Sequence, residues 1–430
     1  MSVDLLKEII ADFHSRGVSP EIVQRELSVP LNGKKITTVI GPRRSGKTFY
    51  LYSLINQLEK EVSRERIIYI NFEDERLDLK ERDFQSILDA YQQLYPDNQL
   101  QDVYFFFDEI QNIPKWEIFV RRLEETLSKK IFITGSSSKL LSKEIATSLR
   151  GRTLSFEMLP LSFKEYLNFQ GLESKSVVSG KQKNRTSVAL DRFLKVGGYP
   201  EVVDESDEGL LTKTLQSYVD VMLYRDIVER HQIRNVYIIR DLLKRLISNT
   251  AQVFSVHKYY RDLQSRDVKV SKDLLYTFLD HFIDAYLAIP LMKYDPSAIK
   301  REQALKKIYI NDTGLVSANS FSLSEDKGRL LETLIFLELF KKGKEVYYFS
   351  TSGVECDFLI QNRGKISDAI QVCYRLTQEN RKRETNGLLA AMETFDLKEG
   401  FIVTHSQSET LEVKGFKINV VTAWKWILEP

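Results

Sequence analysis

Residues 41–48 read GPRRSGKT, which sets two glycines, a lysine and a hydroxyl at the spacing G-x-x-x-x-G-K-[ST]. This pattern suits a chain of phosphates. Glycines let the backbone curl until successive N–H groups face one point, and the dipole of a following helix adds to their pull on an anion. The candidate cradle comprises Gly41, Pro42, Arg43, Arg44, Ser45, Gly46, Lys47, Thr48 and Phe49. In it the Lys47 ammonium would reach the outer phosphates and the Thr48 hydroxyl would ligate magnesium. Arg43 and Arg44 are further candidates for phosphate or interface contact. A second group lies in VYFFFDE, residues 103–109, where an apolar run ends in two carboxylates. Two acids at the end of a buried strand need partners to offset their desolvation. Beside a phosphate cradle, Asp108 would hold the magnesium shell and Glu109 would polarise the attacking water; the alternative is that both cap the next helix. ATP and Mg2+ are the expected cofactors, and ATP hydrolysis is the expected reaction.

Two further segments bear on that reaction. KIFITGSSS, residues 130–138, offers the hydroxyls of Thr134, Ser136 and Ser137 beside the terminal phosphate, or else a simple Ser/Gly turn. SLRGRT, residues 148–153, carries Arg150 and Arg152 just ahead of another apolar run. Either arginine could complete the site of a neighbouring copy, which would imply a homo-oligomer, or both could be surface salt-bridge residues.

The elements that must position these residues follow from pattern. KKITTVI (34–40), RIIYINF (66–72), VYFFFDE (103–109), KIFITGS (130–136) and TLSFEML (153–159) are short runs rich in β-branched and aromatic residues, which read as buried strands. Helical stretches alternate with them, as in a mostly parallel sheet covered on both faces. From 161 to 234 helical periodicity takes over, interrupted by VGGYPEV at 196–202; this is a helical lid candidate, with the polar stretch 178–187 expected as a loop. Residues 235–310 give three helical segments, two of them capped by Ser255 and Ser271, and then two strands around a basic loop. That is the order of a winged helix. Residues 311–430 read as a second α/β unit that opens on the helix 329–343 and runs through VYYFS, CDFLI, AIQVCY and FIVTH.

If the winged helix meets DNA, the N-terminal turn of its last helix leads, so Lys269, Ser271, Lys272 and Tyr276 would touch it, with Lys293, Lys300, Arg301, Lys306 and Lys307 of the wing on phosphates. Asp273, Asp280 and Asp284 on the same helix oppose this, and a winged helix can also serve packing alone. The balance of 62 Lys and Arg against 60 Asp and Glu, a net +2, gives no molecule-wide field for a polyanion, so any nucleic-acid contact must be a local patch. Two cysteines cannot build a disulfide framework, and no apolar run approaches about 18 residues, so a cytoplasmic protein without a membrane span is expected.

With GPRRSGKT, YINFEDERL, FFFDEIQNIPKWE, TGSSSKLLS, LRGRT, LPLSFKEYL, VGGYPEV, YRDI, VECDFLI and IQVCY in view, the chain resembles, over nearly its full length, the prokaryotic AAA-type ATPases of the archaeal-ATPase group. These carry an uncharacterised C-terminal domain. The resemblance implies an α/β P-loop NTPase of the ASCE, AAA type with strand order 5-1-4-3-2 over residues 1–160, then the lid (161–234), the winged helix (235–310) and a restriction-endonuclease-like α/β domain (311–430). It also implies that Asn71, Glu73 and Asp74 lie near the nucleotide and that Arg225 of YRDI serves as a second sensor.

The tail resembles the PD-(D/E)XK nuclease pattern, with Glu332 as the helix carboxylate, Asp357 at a strand end and Gln371-Val372-Cys373 in the acidic-x-Lys place. Gln371 keeps an oxygen without charge, and Cys373 stands where a lysine would stabilise the attacking water. Metal affinity and base activation should both fall, leaving a degenerate, non-cleaving module; alternatively, Glu332 and Asp357 only satisfy local hydrogen bonds. Two readings of the whole remain: an ATPase acting on DNA through its C-terminal half, or an ATP-dependent regulatory switch whose C-terminal domains bind a protein partner.

Overall fold

The computed structural model describes residues 2–18, 22–77, 79–80, 83–136, 149, 151–175, 179–320, 326–351 and 353–429. They fall into two compact units, Met1–Leu159 and Pro160–Pro430.

The first unit opens on α1 (Val3–Arg16), whose first turn is capped by the Ser2 hydroxyl accepting from Asp4 N. There follow β1 (Ile36–Ile40), α2 (Lys47–Leu58), β2 (Ile67–Asn71), α3 (Phe84–Leu94), β3 (Tyr104–Asp108), α4 (Trp116–Thr126), β4 (Ile131–Gly135) and β5 (Thr153–Glu157). Each of the five apolar runs is a strand. They form one parallel sheet in the order β2-β3-β4-β1-β5, which is the 5-1-4-3-2 arrangement expected. The sheet interior is apolar on both faces, as covered parallel strands require: Phe105, Phe106 and Phe107 are fully buried, and Phe106 stacks on Phe132 at 4.6 Å. A parallel sheet aims all its strand ends one way. The C-termini of β1, β3 and β4 therefore deliver the phosphate loop, Asp108 with Glu109, and Ser136 to one edge.

The second unit begins with α5 (Phe163–Phe169), held by a capping box between Ser162 and Glu165, and α6 (Gly180–Val196). The loop expected over 178–187 is thus a helix from Gly180 onward. Ser179 caps it, and Thr186, Ala189, Leu190 and Phe193 bury one face at helical spacing, while the polar residues that suggested a loop lie on the other. Next come α7 (Glu208–Val221), a π-helical continuation (Met222–Glu229), α8 (Val236–Ser248), β6 (Gln252–Phe254), α9 (Val256–Ser265), α10 (Lys272–Asp284), β7 (Ala288–Leu291), α11 (Ala298–Gln303) and β8 (Lys306–Ile310). The three strands form an antiparallel sheet ordered β6-β8-β7. One apolar core runs from Val196 through Leu242, Phe278 and Ile310 to Val316, so the helices before and after residue 234 share it.

The remainder comprises α12 (Thr313–Asn319), α13 (Asp326–Lys341), β9 (Glu345–Thr351), β10 (Val354–Asn362), β11 (Lys365–Cys373), α14 (Gln378–Phe395), β12 (Glu399–Thr404), β13 (Glu409–Val413), β14 (Phe416–Thr422) and α15 (Ala423–Leu428). Its six-stranded sheet is ordered β13-β14-β12-β11-β10-β9 and is parallel only where β12 meets β11 and β14. Among the described residues no helix is long and apolar enough to cross a membrane.

Candidate active site

The loop between β1 and α2 turns through left-handed backbone at Arg44 (φ 63) and Gly46 (φ 95). Gly41 is required by space: a Cβ there would stand 2.1 Å from Met158 O. Arg25, which no motif singled out, braces the loop by donating to Ser45 O at 2.9 Å and Leu159 O at 2.7 Å. The Lys47 ammonium, in a residue only 4% exposed, donates to Gly41 O at 3.2 Å and Pro42 O at 3.0 Å and lies 3.3 Å from Glu109 Oε1. Phe49 is exposed, with its ring edge-on to Tyr52.

Asp108 is fully buried, yet hydroxyls surround it. Thr48 Oγ1 and Tyr69 OH donate to Oδ2 at 2.7 and 3.0 Å, and Thr134 Oγ1 donates to Oδ1. Burial raises its carboxyl above the ordinary range, against the pull of those donors. The next residue, Glu109, takes left-handed backbone (φ 52, ψ 42), and its N–H donates to Thr134 Oγ1 at 2.9 Å. One threonine thus fixes both acids. Burial also pushes the Glu109 carboxyl up, but Lys47, the Gln111 amide and Arg43 outweigh it and hold it below the usual range. Neither carboxylate caps the helical turns that follow, for the 3-10 turn Ile110–Asn112 after Glu109 and α4 after Lys115 both start without a side-chain cap bond.

Among the remaining candidates, Ser136 is buried and its Oγ accepts from Gln111 Nε2 at 3.5 Å, whereas Ser137 and Arg150 lie outside the described residues. Arg152 pairs with Glu124 at 3.2 Å and Glu125 at 2.7 Å, both on α4 of its own chain, as in the salt-bridge alternative. Arg43 reaches Glu73 at 3.0 Å, so the turn after β2 touches the loop; Asn71 and Asp74 serve that turn, accepting from Glu73 N and Arg76. Arg225 is exposed on the π-helical segment of the second unit.

Do these groups fit ATP and magnesium? Ser45 Oγ is wholly buried and has no hydrogen-bond partner among the described residues, an orphan that a phosphate oxygen would satisfy. Thr48 and Asp108 place two hard oxygen donors 2.7 Å apart, the ligand chemistry magnesium takes. They fit.

The tail gathers a second cluster. Asp357 N donates to Gln371 Oε1 at 3.3 Å, Asp357 Oδ2 accepts from Val372 N at 2.9 Å, and Gln371 Nε2 donates to Glu384 at 2.9 Å. Into it comes Lys307, whose ammonium lies 3.1 Å from Glu332, 2.7 Å from Glu355 and 3.0 Å from Asp357. Lys307 was expected on DNA phosphates, and this is corrected: β8 is the central strand of its sheet, and Lys307 is 2% exposed. Burial favours the neutral amine, but Glu332, Asp357 and Glu355 prevail and hold the proton well above the ordinary lysine range. Cys373, in the lysine place of the motif, is a buried thiol pushed up to about 12. A cleft of 860 Å³ opens beside the cluster. Among the described residues no group of three His, Cys, Asp or Glu is arranged to hold a metal ion.

On α10, Lys272 and Tyr276 are exposed, as is Lys269 just before it, while Ser271 spends its hydroxyl on Leu274 N as the helix cap. Asp273 and Asp280 are exposed along the same helix. Lys293 pairs its backbone with Tyr348 of β9, and Arg301 donates to Tyr347 OH at 3.2 Å.

Residues 33–167 match the AAA domain family, and residues 188–326 match a domain of unknown function, DUF8612. An uncharacterized protein of Methanocaldococcus jannaschii is 38% identical over 438 residues, covering 99% of this chain and 95% of that protein. An uncharacterized protein of Haemophilus influenzae is 29% identical over 392 residues, covering 90% and 94%. Of solved structures, the Aeropyrum pernix ORC1 protein in complex with DNA aligns at a TM-score of 0.30, with 13% identity over 74% of this chain and 90% of that one. The Thermotoga maritima RuvB Holliday junction branch migration motor aligns at 0.28, with 17% identity over 66% and 87%.

Proposed function

We propose that this chain, which shares its family with the 38%-identical uncharacterized Methanocaldococcus jannaschii protein and carries an AAA domain over residues 33–167, binds ATP with magnesium and hydrolyses it. The observation that carries this is the meeting of Lys47 with Glu109 at 3.3 Å beside the Thr48–Asp108 pair. Bound magnesium supplies charge neutralisation and orientation of the phosphates. Lys47 exchanges its carboxylate partner for the outer phosphates, Ser45 Oγ and the loop amides hold phosphate oxygens, and Thr48 with Asp108 holds the magnesium shell. Glu109, released from Lys47, accepts the proton of the attacking water. Phosphate release by the full chain with magnesium tests this; a chain that binds no ATP or releases no phosphate sinks it.

The second unit acts, in this reading, on DNA. Its helix, strand, helix, helix and two-strand order with the sheet β6-β8-β7 supports a winged helix. Lys269, Lys272 and Tyr276 stand exposed at the leading turn of α10. A specific observation favours the protein-partner alternative: Ile299 is 71% exposed and Leu305 51% exposed on the connection that forms the wing. Phosphate release measured with and without duplex, single-stranded and branched DNA at low salt separates the two. Stimulation with salt-dependent binding supports the DNA reading, and its absence supports the protein-partner switch. The tail is a non-cleaving module here, because an ammonium fills its carboxylate cluster. Plasmid incubated with magnesium or manganese should stay intact, and cutting abolished by Asp357→Ala would overturn that.

A further inference from the structure

Between Glu109 and α4 the chain makes one short 3-10 turn, Ile110–Asn112, and its middle residue faces back to the site. Gln111 Nε2 donates to Glu109 Oε2 at 2.5 Å and reaches Ser136 Oγ at 3.5 Å. A carboxylate accepts only, so the amide presents its nitrogen to Glu109 and keeps its oxygen for another donor. That oxygen, Oε1, is buried and has no partner among the described residues. Buried acceptors are rarely left without a donor, and those that are mark a place that a missing donor completes. The two oxygens of Glu109 thus have separate partners, Oε1 with Lys47 at 3.3 Å and Oε2 with Gln111.

We propose that Gln111 is a positioning residue for the ATPase reaction: Nε2 fixes the Glu109 carboxylate, and Oε1 accepts one hydrogen of the water whose other proton Glu109 takes. This rests on the ATPase reading above. When Lys47 turns to phosphate, Glu109 loses one of its two anchors, and Gln111 is the one that remains. A water held by a carboxylate and an amide oxygen has both hydrogens engaged, which leaves its lone pair free for the phosphorus. The new O–P bond forms as the bond to the leaving ADP oxygen breaks, and the water's proton passes to Glu109. Gln111 itself neither gains nor loses a proton.

The test compares wild type with Gln111→Leu, which keeps the volume without the amide, and Gln111→Asn, which keeps the amide one methylene short. Turnover is read by phosphate release. Affinity is read by binding of a non-hydrolysable ATP analogue with magnesium, since the hydrogen bonds of Gln111 go to Glu109 and Ser136 and not to Lys47 or the loop. We expect Gln111→Leu to lose roughly 10- to 100-fold in kcat, as for a misplaced reacting group, with analogue affinity and KM within about twofold of wild type, and Gln111→Asn to lie between. Should wild type release no phosphate, the ATPase reading falls and this one with it. If wild type is active and Gln111→Leu keeps its kcat, or loses analogue affinity as fast as kcat, the role of Gln111 alone is overturned. Should Gln111→Leu fail to fold, Gln111→Asn decides by the same two readouts.

Discussion

The Lys307 ammonium of β8 lies 3.0 Å from Asp357 Oδ1 of β10 and reaches Glu332 and Glu355 as well. A carboxylate cluster that would suit a cation contains one covalently, as part of the chain. Its worth is asymmetric, since deleting one partner of a buried ion pair leaves charges without compensation. Lys307→Met should therefore destabilise the second unit by about 3–5 kcal/mol, read by denaturant unfolding. Unchanged stability would show that solvent already screens the three acids.

Glu109→Gln should keep ATP and lose turnover, by roughly 10²- to 10⁴-fold in kcat, as expected when a general base is removed. Lys47→Ala should lose affinity itself, because it removes the buried ammonium at the centre of the loop. Parallel binding and phosphate-release assays check both. Glu109→Gln turning over at the wild-type rate would take Glu109 out of its role.

Much of this site was legible because its logic is local. The loop GPRRSGKT and the DE pair after VYFFF are fixed by spacing within a few residues, and β-branched and aromatic runs announce the strands that carry them. What stayed hidden is long-range or two-sided. Arg25 grips Leu159, and Lys307 meets an acid 50 residues later, pairings no window of sequence contains. Gln111 sits beside the motif, but its role appears only once the 3-10 turn folds it back onto Glu109. The first turns of α6, residues 180–187, read as loop in the sequence because their exposed face carries the lysines and asparagine of KQKN. Strands β13 and β14 escaped for the same reason, since exposed and partly buried residues fill most of their positions and leave short apolar runs.

Asp312 gives a pH test of the second unit. Its carboxylate accepts from Gly198 N at 2.7 Å, Gly314 N at 2.8 Å and Leu315 N at 3.2 Å, and burial nonetheless raises its pKa to about 6, with Lys341 opposing. Between the ordinary value of 3.8 and about 6 the native state binds the extra proton, so stability falls as pH rises through that window. The stability of wild type minus that of Asp312→Asn should shrink by about 3 kcal/mol from pH 3.5 to pH 7. A difference that is flat or grows with pH would contradict the assignment.

Arg152 separates a finger from a brace. Both of its partners, Glu124 and Glu125, are on its own chain, and its side chain is 33% exposed. Arg152→Ala should leave phosphate release per chain unchanged and lower the stability of the first unit by about 1 kcal/mol or less, as partly exposed pairs do. A loss of turnover against wild type that is largest at high protein concentration and vanishes on dilution would instead place Arg152 in a neighbour's site.

Lys272 tests the DNA reading at one residue. It opens α10, is exposed, and its ammonium lies 5.2 Å from the Tyr260 ring centroid, so the aromatic face limits where the charge can point. Asp273 follows it directly and is exposed too, so a contact with phosphate needs Lys272 to outweigh a neighbouring like-charge repulsion. If it does, Lys272→Ala should weaken duplex binding similarly across sequences and reduce the slope of log K against log salt by about 1. Asp273→Asn should then strengthen binding, because it removes the opposing charge and leaves the Ser271 cap in place. Salt-titrated fluorescence anisotropy of a labelled duplex reads both variants. Two variants that bind like wild type would remove α10 from any DNA interface and turn attention to the exposed Ile299 and Leu305 as a protein-binding surface.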